Sequence, residues 1–178
     1  MAMHIALIGY GEVGSILAED LRAQGLAVSA YDRKLGSPAG DLMRGHAARI
    51  GVTMAASHAD AARGADLVIS AVTASQTVAV TEAAAPGLHA GAYFLDFNSA
   101  SPGAKIGAAG IVNVAGGRYV EGAVMTSVPP YRIQVPLLLG GPDAAALLPL
   151  INAIGFAGKL ASEQLGVASA TKMSRSVM

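Results

Sequence analysis

Met3-His4-Ile5-Ala6-Leu7-Ile8 runs straight into Gly9-Tyr10-Gly11-Glu12-Val13-Gly14, a short apolar stretch followed by three spaced glycines. Ser15 to Gln24 continues as an amphipathic helix with Ile16, Leu17 and Leu21 on one side, and a second apolar run, Leu26 to Tyr31, ends at Asp32. Strand, glycine-rich turn, helix, strand and acid follow one another as in a dinucleotide-binding βαβ unit. Gly9 allows a tight turn, Gly11 lets the backbone approach a pyrophosphate, and Gly14 lets the helix pack close to the strand. The helix N-terminus then offers unpaired N–H groups and a partial positive charge to phosphates. The rival reading is an ordinary βα turn that binds nothing. The matching context on both sides of the glycines favours the nucleotide.

Composition narrows the alternatives. The chain has 178 residues, the size of one ordinary domain. It is 53% hydrophobic and only 13% charged, with a mean hydropathy of +0.49 that is high for a soluble protein. This excess is read as surface covered by a partner subunit or a further domain. No apolar run approaches the ~18–20 residues needed to span a bilayer, and no basic segment precedes the first apolar run, so neither a membrane span nor a signal peptide is expected. A cytoplasmic location follows as the default. Twelve basic and twelve acidic residues cancel, and aromatics are 4%, which argues against nucleic-acid binding. With no cysteine there is no thiolate nucleophile, and His4, His46, His58 and His89 share no ligand-like spacing, so no metal is expected.

Beyond Asp32, apolar runs alternate with helical patterns. Strands are predicted at Gly51–Met54, Asp66–Val72, Ala92–Phe97, Tyr119–Val124, Val135–Gly141 and Phe156–Leu160. Pro136 suggests an edge position for the seventh strand. Helices are predicted at Asp41–Ile50, Ser57–Arg63, Gln76–Ala85, Pro102–Val114, from Asp143 to about Ile154, and from Glu163 onward. Ser57, Ser101 and Asp143 read as N-caps. The alternation predicts an α/β fold: a Rossmann-type, doubly wound, mostly parallel sheet with helices on both faces. Ligands in such sheets bind beyond the carboxyl ends of the strands, so the informative loops start at Gly9, Asp32, Val72, Phe97 and Val124.

Asp32 can accept hydrogen bonds from a ribose and would repel a 2′-phosphate, which favours NAD. Arg33 and Lys34 beside it could attract that phosphate, which keeps NADP possible. Val72 and Thr73 end a strand in small and hydroxylic residues, suited to a cofactor wall or to a plain helix start. Asn98 and Ser99 point toward the crevice, where they touch cofactor or substrate or only shape the turn. Thr126 and Ser127, after Met125, offer hydroxyls and backbone N–H groups to a carboxylate, or form an ordinary turn before Pro129-Pro130. Lys172 on a helix is by itself a surface charge. The small and β-branched residues from Gly166 to Thr171, however, would let that helix press on something flat such as a nicotinamide. A lysine desolvated there would have a lowered pKa and could act as a general base.

Together these loops resemble the β-hydroxyacid dehydrogenases, the family of 6-phosphogluconate and 3-hydroxyisobutyrate dehydrogenases. Gly9–Gly14 is similar to the family's glycine-rich turn, Asp96–Pro102 to its Asp-x-Ser-Thr-x-x-Pro segment, Glu121–Ser127 to its Asp-Ala-Pro-Val-Ser-Gly-Gly substrate loop, and Gly166–Ser176 to its lysine helix. The resemblance implies an NAD(P)-dependent oxidoreductase. A small hydroxy acid would lose hydride to the nicotinamide while Lys172, the matching catalytic lysine, takes the hydroxyl proton. Gly9, Tyr10, Gly11, Glu12, Val13, Gly14, Asp32, Arg33, Val72, Thr73 and Asn98 would hold the cofactor. Ser99 would lie near the reacting carbon, and the Met125, Thr126 and Ser127 loop would hold a carboxylate. Two positions depart from the pattern: Met125-Thr126-Ser127 replaces Ser-Gly-Gly, and Ser176 replaces an asparagine on the lysine's helix face.

The resemblance further implies a Rossmann domain over residues 1–161, the beginning of an interdomain helix at 162–178, an absent C-terminal helical domain, and a homodimer in the full-length form. Three rivals stand beside this reading. An imine reductase shares the fold but typically carries Asp or Tyr where Lys172 stands. The others are a nucleotide-binding module without turnover and a structural domain with an empty turn.

Overall fold

The computed structural model describes residues 3–177. Eight strands form one sheet in the order β3-β2-β1-β4-β5-β6-β7-β8. They are β1 His4–Ile8, β2 Ala27–Tyr31, β3 Thr53–Met54, β4 Leu67–Ser70, β5 Tyr93–Asp96, β6 Arg118–Val124, β7 Pro136–Gly140 and β8 Ala157–Ser162. Every pairing is parallel except β6 with β7. That exception follows from the connection: residues 125–135 join β6 to β7 with no crossover α-helix, so the chain returns antiparallel.

The helices are α1 Glu12–Ala23, α2 Gly40–Ile50, α3 His58–Ala62, α4 Thr77–Ala84, α5 Pro102–Val114, α6 Ala144–Ala153 and α7 Val167–Val177. Alternate strand residues feed opposite faces of the sheet, as a period of two requires. Ile5, Leu7, Leu67 and Ile69 pack with Leu17 and Leu21 of α1 and Leu147 and Ile151 of α6. Ala6, Ile8, Val68 and Phe94 pack with Ala61 of α3, Val80 of α4 and Ala108 and Val112 of α5. The sheet is therefore buried on both sides and doubly wound, as its continuous apolar strands predict.

Four local expectations change. α7 begins at Val167 and not at Glu163, because β8 runs on to Ser162 and Gly166 turns the chain at φ +91°. β7 is an inner strand between β6 and β8; its proline is tolerated because Pro136 is the first residue of the strand, where a missing N–H costs the ladder least. Asp143 occupies the N-cap position of α6, but its side chain makes no capping bond. α1 begins at Glu12, immediately after the glycine turn, and not at Ser15. Ser57 and Ser101 do cap, accepting the N–H groups of Asp60 and Ala104.

β1 lies at the point where the strand order reverses, with β2 on one side and β4 on the other. The loops after β1 and β4 therefore diverge and open a crevice at the carboxyl edge of the sheet.

Candidate functional site

The crevice is a cavity of about 650 Å³, within the range of small-molecule and cofactor sites. Gly9 turns the chain at its floor with φ +100°, and an added Cβ there would stand 2.2 Å from the Ala71 carbonyl oxygen. Only glycine permits both the dihedral and the approach. Gly14 faces back onto the same turn, its Cβ position 2.2 Å from the Gly9 oxygen. Helix propensity alone favours alanine over glycine by ~1 kcal/mol, so Gly14→Ala is a test of packing against propensity. We expect a lower urea midpoint and weaker NADH binding, because the collision is with backbone, which cannot turn aside.

Gly11 is different. It lines the cavity, and a Cβ there would meet nothing within 4 Å. It is also the N-cap of α1 without a side-chain capping bond, so the first-turn N–H groups of Glu12 and Val13 lie at the cavity wall. An open backbone at a helix N-terminus fits a pyrophosphate. Asp32 lines the same cavity and holds the turn in place: its carboxylate accepts the Tyr10 N–H at 2.8 Å and the Lys34 N–H at 2.8 Å. Arg33, Lys34, Val72 and Thr73 complete this end of the wall.

His58, one of the four histidines without ligand-like spacing, also lines the cavity, packed edge-on against Tyr31 with centroids 4.6 Å apart. Burial lowers its pKa. Nothing in its local sequence marks this position, because it depends on how α3 packs beside β2.

Tyr10 departs from the expectation. Its ring is buried and does not line the cavity; the hydroxyl lies 2.7 Å from His46 Nδ1, and burial raises its pKa to about 12. His46 Nε2 in turn meets Glu19 at 2.7 Å. Glu19 also receives Arg132 at 2.6 Å, and Asp20 accepts from Arg132 and from the Ile133 N–H. The bonds from His46 and Arg132 hold the Glu19 carboxyl below its usual range. Arg132, at φ 55°, thus ties the β6–β7 loop to α1. That loop carries Thr126 and Ser127, both exposed and both lining the cavity. Met125 lines neither this cavity nor the smaller one beside it; its N–H donates to Pro136 across the sheet.

Deeper in, Asn98 is buried and spans two strand ends. Its Oδ1 accepts the Val72 N–H at 2.7 Å and its Nδ2 donates to Ser70 at 3.0 Å. Beside it Ser99 accepts a hydrogen bond from Lys172 Nζ at 2.9 Å. Lys172 lines the cavity, and desolvation holds its ammonium below the usual lysine range, the direction expected of the helix around it. Ser176 lies outside the described side chains.

Below this pair sits a polar cluster that sequence reading missed. Lys105, on α5, is fully buried, and donates to the carbonyl oxygens of Asp96 at 3.2 Å and Gly122 at 2.7 Å. Asp96 accepts from the Tyr119 hydroxyl at 2.6 Å and from the Asn98 N–H at 2.8 Å. Burial pushes the Asp96 carboxyl up and the Lys105 ammonium down, each opposed by the other's charge. Buried Glu121 accepts the N–H groups of Gly166 and Ser169. A carboxylate on β6 therefore caps α7 and aims Lys172 at Ser99. A signal for Lys105 was present: it shares the helical stripe of Ala108, Ala109 and Val112, where a cation has to be buried.

A strand-order crevice, a glycine floor and an open helix N-terminus define a dinucleotide-binding α/β protein. Residues 4–155 match the family described as the NAD-binding domain of 6-phosphogluconate dehydrogenase, and the chain belongs to that family. No curated protein matches. A conserved hypothetical protein from Sinorhizobium meliloti 1021 is 40% identical over 100% of this chain and 60% of its own, with a TM-score of 0.93. Two enzymes show the fold at lower identity. Mycobacterium tuberculosis 3-hydroxyisobutyrate dehydrogenase, solved with L-serine, is 18% identical over 98% of this chain and 59% of its own, with a TM-score of 0.85. An imine reductase variant from Myxococcus stipitatus in complex with NAD+ is 20% identical over 99% of this chain and 60% of its own, with a TM-score of 0.83. The chain thus spans about 60% of the length of these solved structures. Among the described residues no helix is long and apolar enough to cross a membrane.

Proposed function

We propose that this chain is the cofactor-binding part of an NAD(P)-dependent dehydrogenase acting on a small hydroxy acid, with Lys172 as the general base. The observation that carries the reading is the Lys172–Ser99 pair, a partly desolvated amine 2.9 Å from a hydroxyl in the wall of the crevice. In this reading residues 1–161 form the dinucleotide-binding unit. Gly9, Gly11, Glu12 and Val13 hold the pyrophosphate, Asp32 and Arg33 the ribose, and Val72, Thr73 and Asn98 the wall toward the nicotinamide. Tyr10 contributes its backbone, and Gly14 the packing that shapes the turn. Ser99, Thr126 and Ser127 border the substrate, with Met125 setting the loop's register.

The nicotinamide, when bound, supplies the hydride chemistry. Lys172 takes the proton from the reacting hydroxyl, for which a neutral amine is required. Ser99 fixes the direction of the amine, and Glu121 fixes the helix that carries it. Lysine in this position favours dehydrogenase over imine reductase.

Calorimetric titration with NADH and NADPH tests the cofactor half of the proposal. Saturable binding supports it, and the absence of binding by either overturns it. For Asp32→Ala we expect the preference for NADH over NADPH to fall by about tenfold, since one charge-assisted contact to the ribose is worth roughly this much. An unchanged ratio would remove Asp32 from the ribose site.

A further inference from the structure

Residues 125–135 join β6 to β7 and give the crevice four of its lining residues, Thr126, Ser127, Val128 and Pro129. The neck of this loop is closed where the Met125 N–H donates to the Pro136 carbonyl at 2.9 Å. Further out, the Val128 carbonyl accepts the Tyr131 N–H at 3.0 Å and the Arg132 N–H at 2.7 Å. Arg132 is thereby bonded directly to a residue of the crevice wall. It is also the one non-glycine residue of positive φ among the described residues, at 55°. A left-handed backbone is unfavourable for arginine, and it persists where surrounding contacts over-determine it.

Those contacts come from α1. Arg132 Nε donates to Asp20 at 3.0 Å, its Nη2 donates to Glu19 at 2.6 Å, and the Ile133 N–H donates to the second oxygen of Asp20 at 3.1 Å. A planar guanidinium can span two neighbouring carboxylates in this way, where an ammonium would meet them as a point charge. The same helix begins at Glu12 and Val13, which line the crevice. Glu19 further meets His46, and His46 meets the Tyr10 hydroxyl inside the glycine turn. The glycine turn and the β6–β7 loop are therefore both referenced to one rigid element. The Arg132–Glu19 pair is 43% and 40% exposed, and pairs so open to water contribute little to global stability. The clamp is better explained by where it holds the loop than by support of the fold.

We infer that Arg132 is a positioning residue: clamped on Glu19 and Asp20, it holds Val128 and Pro129 at a fixed distance from α1 and so sets the width of the crevice. That the ligand fitted by this width is a dinucleotide rests on the reading above. Arg132 does not line the crevice; it acts through the Val128 carbonyl. Its loss therefore frees the wall and leaves the sheet intact.

The test is amide hydrogen exchange by NMR on the 178-residue chain, with calorimetric NADH titration, in the wild type, Arg132→Asn, Arg132→Lys and Asp20→Asn. Asparagine tolerates the left-handed backbone, so Arg132→Asn removes the guanidinium and keeps the turn. Exchange at Tyr131 and Ile133 should then quicken by about tenfold, with Met125 at the neck and the thermal midpoint little changed. NADH should bind about fivefold more weakly, as the formed wall becomes a minor population. Arg132→Lys should fall between wild type and Arg132→Asn in both readouts, and Asp20→Asn should loosen Ile133 in the same way. Unchanged exchange at Tyr131 and Ile133, or a loosened loop with NADH affinity unaltered, overturns the inference. So does exchange that quickens equally throughout the sheet with a falling midpoint, since that describes a support of the fold. A wild type without an NADH response, in which the variants still loosen the loop alone, counts against the dinucleotide reading and supports the clamp.

Discussion

Lys172→Met is expected to lower kcat by about 10²–10⁴, the usual contribution of a positioned general base, while leaving NADH affinity within a factor of about two. The side chain keeps its length and apolar stem and loses only the amine. The affinity should survive because the contacts proposed for the pyrophosphate and ribose lie at Gly9–Val13 and Asp32. Turnover should not, because Ser99 accepts from Lys172 Nζ and carries no charge of its own with which to take a proton. The pH profile of the unaltered protein gives a second readout. Desolvation holds the Lys172 pKa below its usual value of 10.5, and in the proposed reading the neutral amine is the active form. Oxidation should therefore rise with pH and level off at a pH below that of an ordinary lysine. Steady-state rates across pH, with calorimetry on the variant, check both points. A variant that keeps its kcat sinks Lys172 as the base. A protein that binds NADH and turns over no hydroxy acid is better described as a nucleotide-binding module.

The second large effect concerns stability. Lys105→Met should cost about 3–5 kcal/mol, the range for removing one partner of a buried charge pair. The ammonium is 4.0 Å from an Asp96 oxygen and bonds two carbonyl groups at the ends of β5 and β6. Methionine fills the same volume, but leaves those carbonyls without their donor and Asp96 without its nearest cation. Urea denaturation measures the loss. Arg63→Ala is the matched control: its pair with Asp60 is exposed on both sides, and such pairs contribute ~0–1 kcal/mol. Equal losses at the two sites would show that the Lys105 cluster does not support the fold.

Much of this was legible along the chain. The continuous apolar runs of β1, β4 and β5 announced strands buried on both faces. The serines before α3 and α5 announced caps, and Gly9 announced a dihedral that other residues rarely adopt. Each is a local matter, settled within a few residues by periodicity or backbone sterics.

Other features depended on distant partners. Tyr10 sits inside the glycine motif, yet its ring turns inward to His46 because α2 packs against α1. Arg132 reaches Glu19 across 113 residues of chain. Glu121 could be read only as part of the sixth strand and of the segment resembling a substrate loop until α7 came to rest on β6 with its first N–H groups against that carboxylate. Pro136 suggested an edge, but the order of the strands placed β8 outside it.

What the residues settled alone was the succession of strands and helices and the turn that opens toward a nucleotide. These follow from short-range sterics and from the spacing of apolar side chains. What required the folded molecule was which polar groups share a desolvated space. Lys105 with Asp96 and Glu121 with α7 are juxtapositions of separate elements. The energy of a charge or hydroxyl depends on the partners and the water that packing leaves around it, not on its neighbours in sequence.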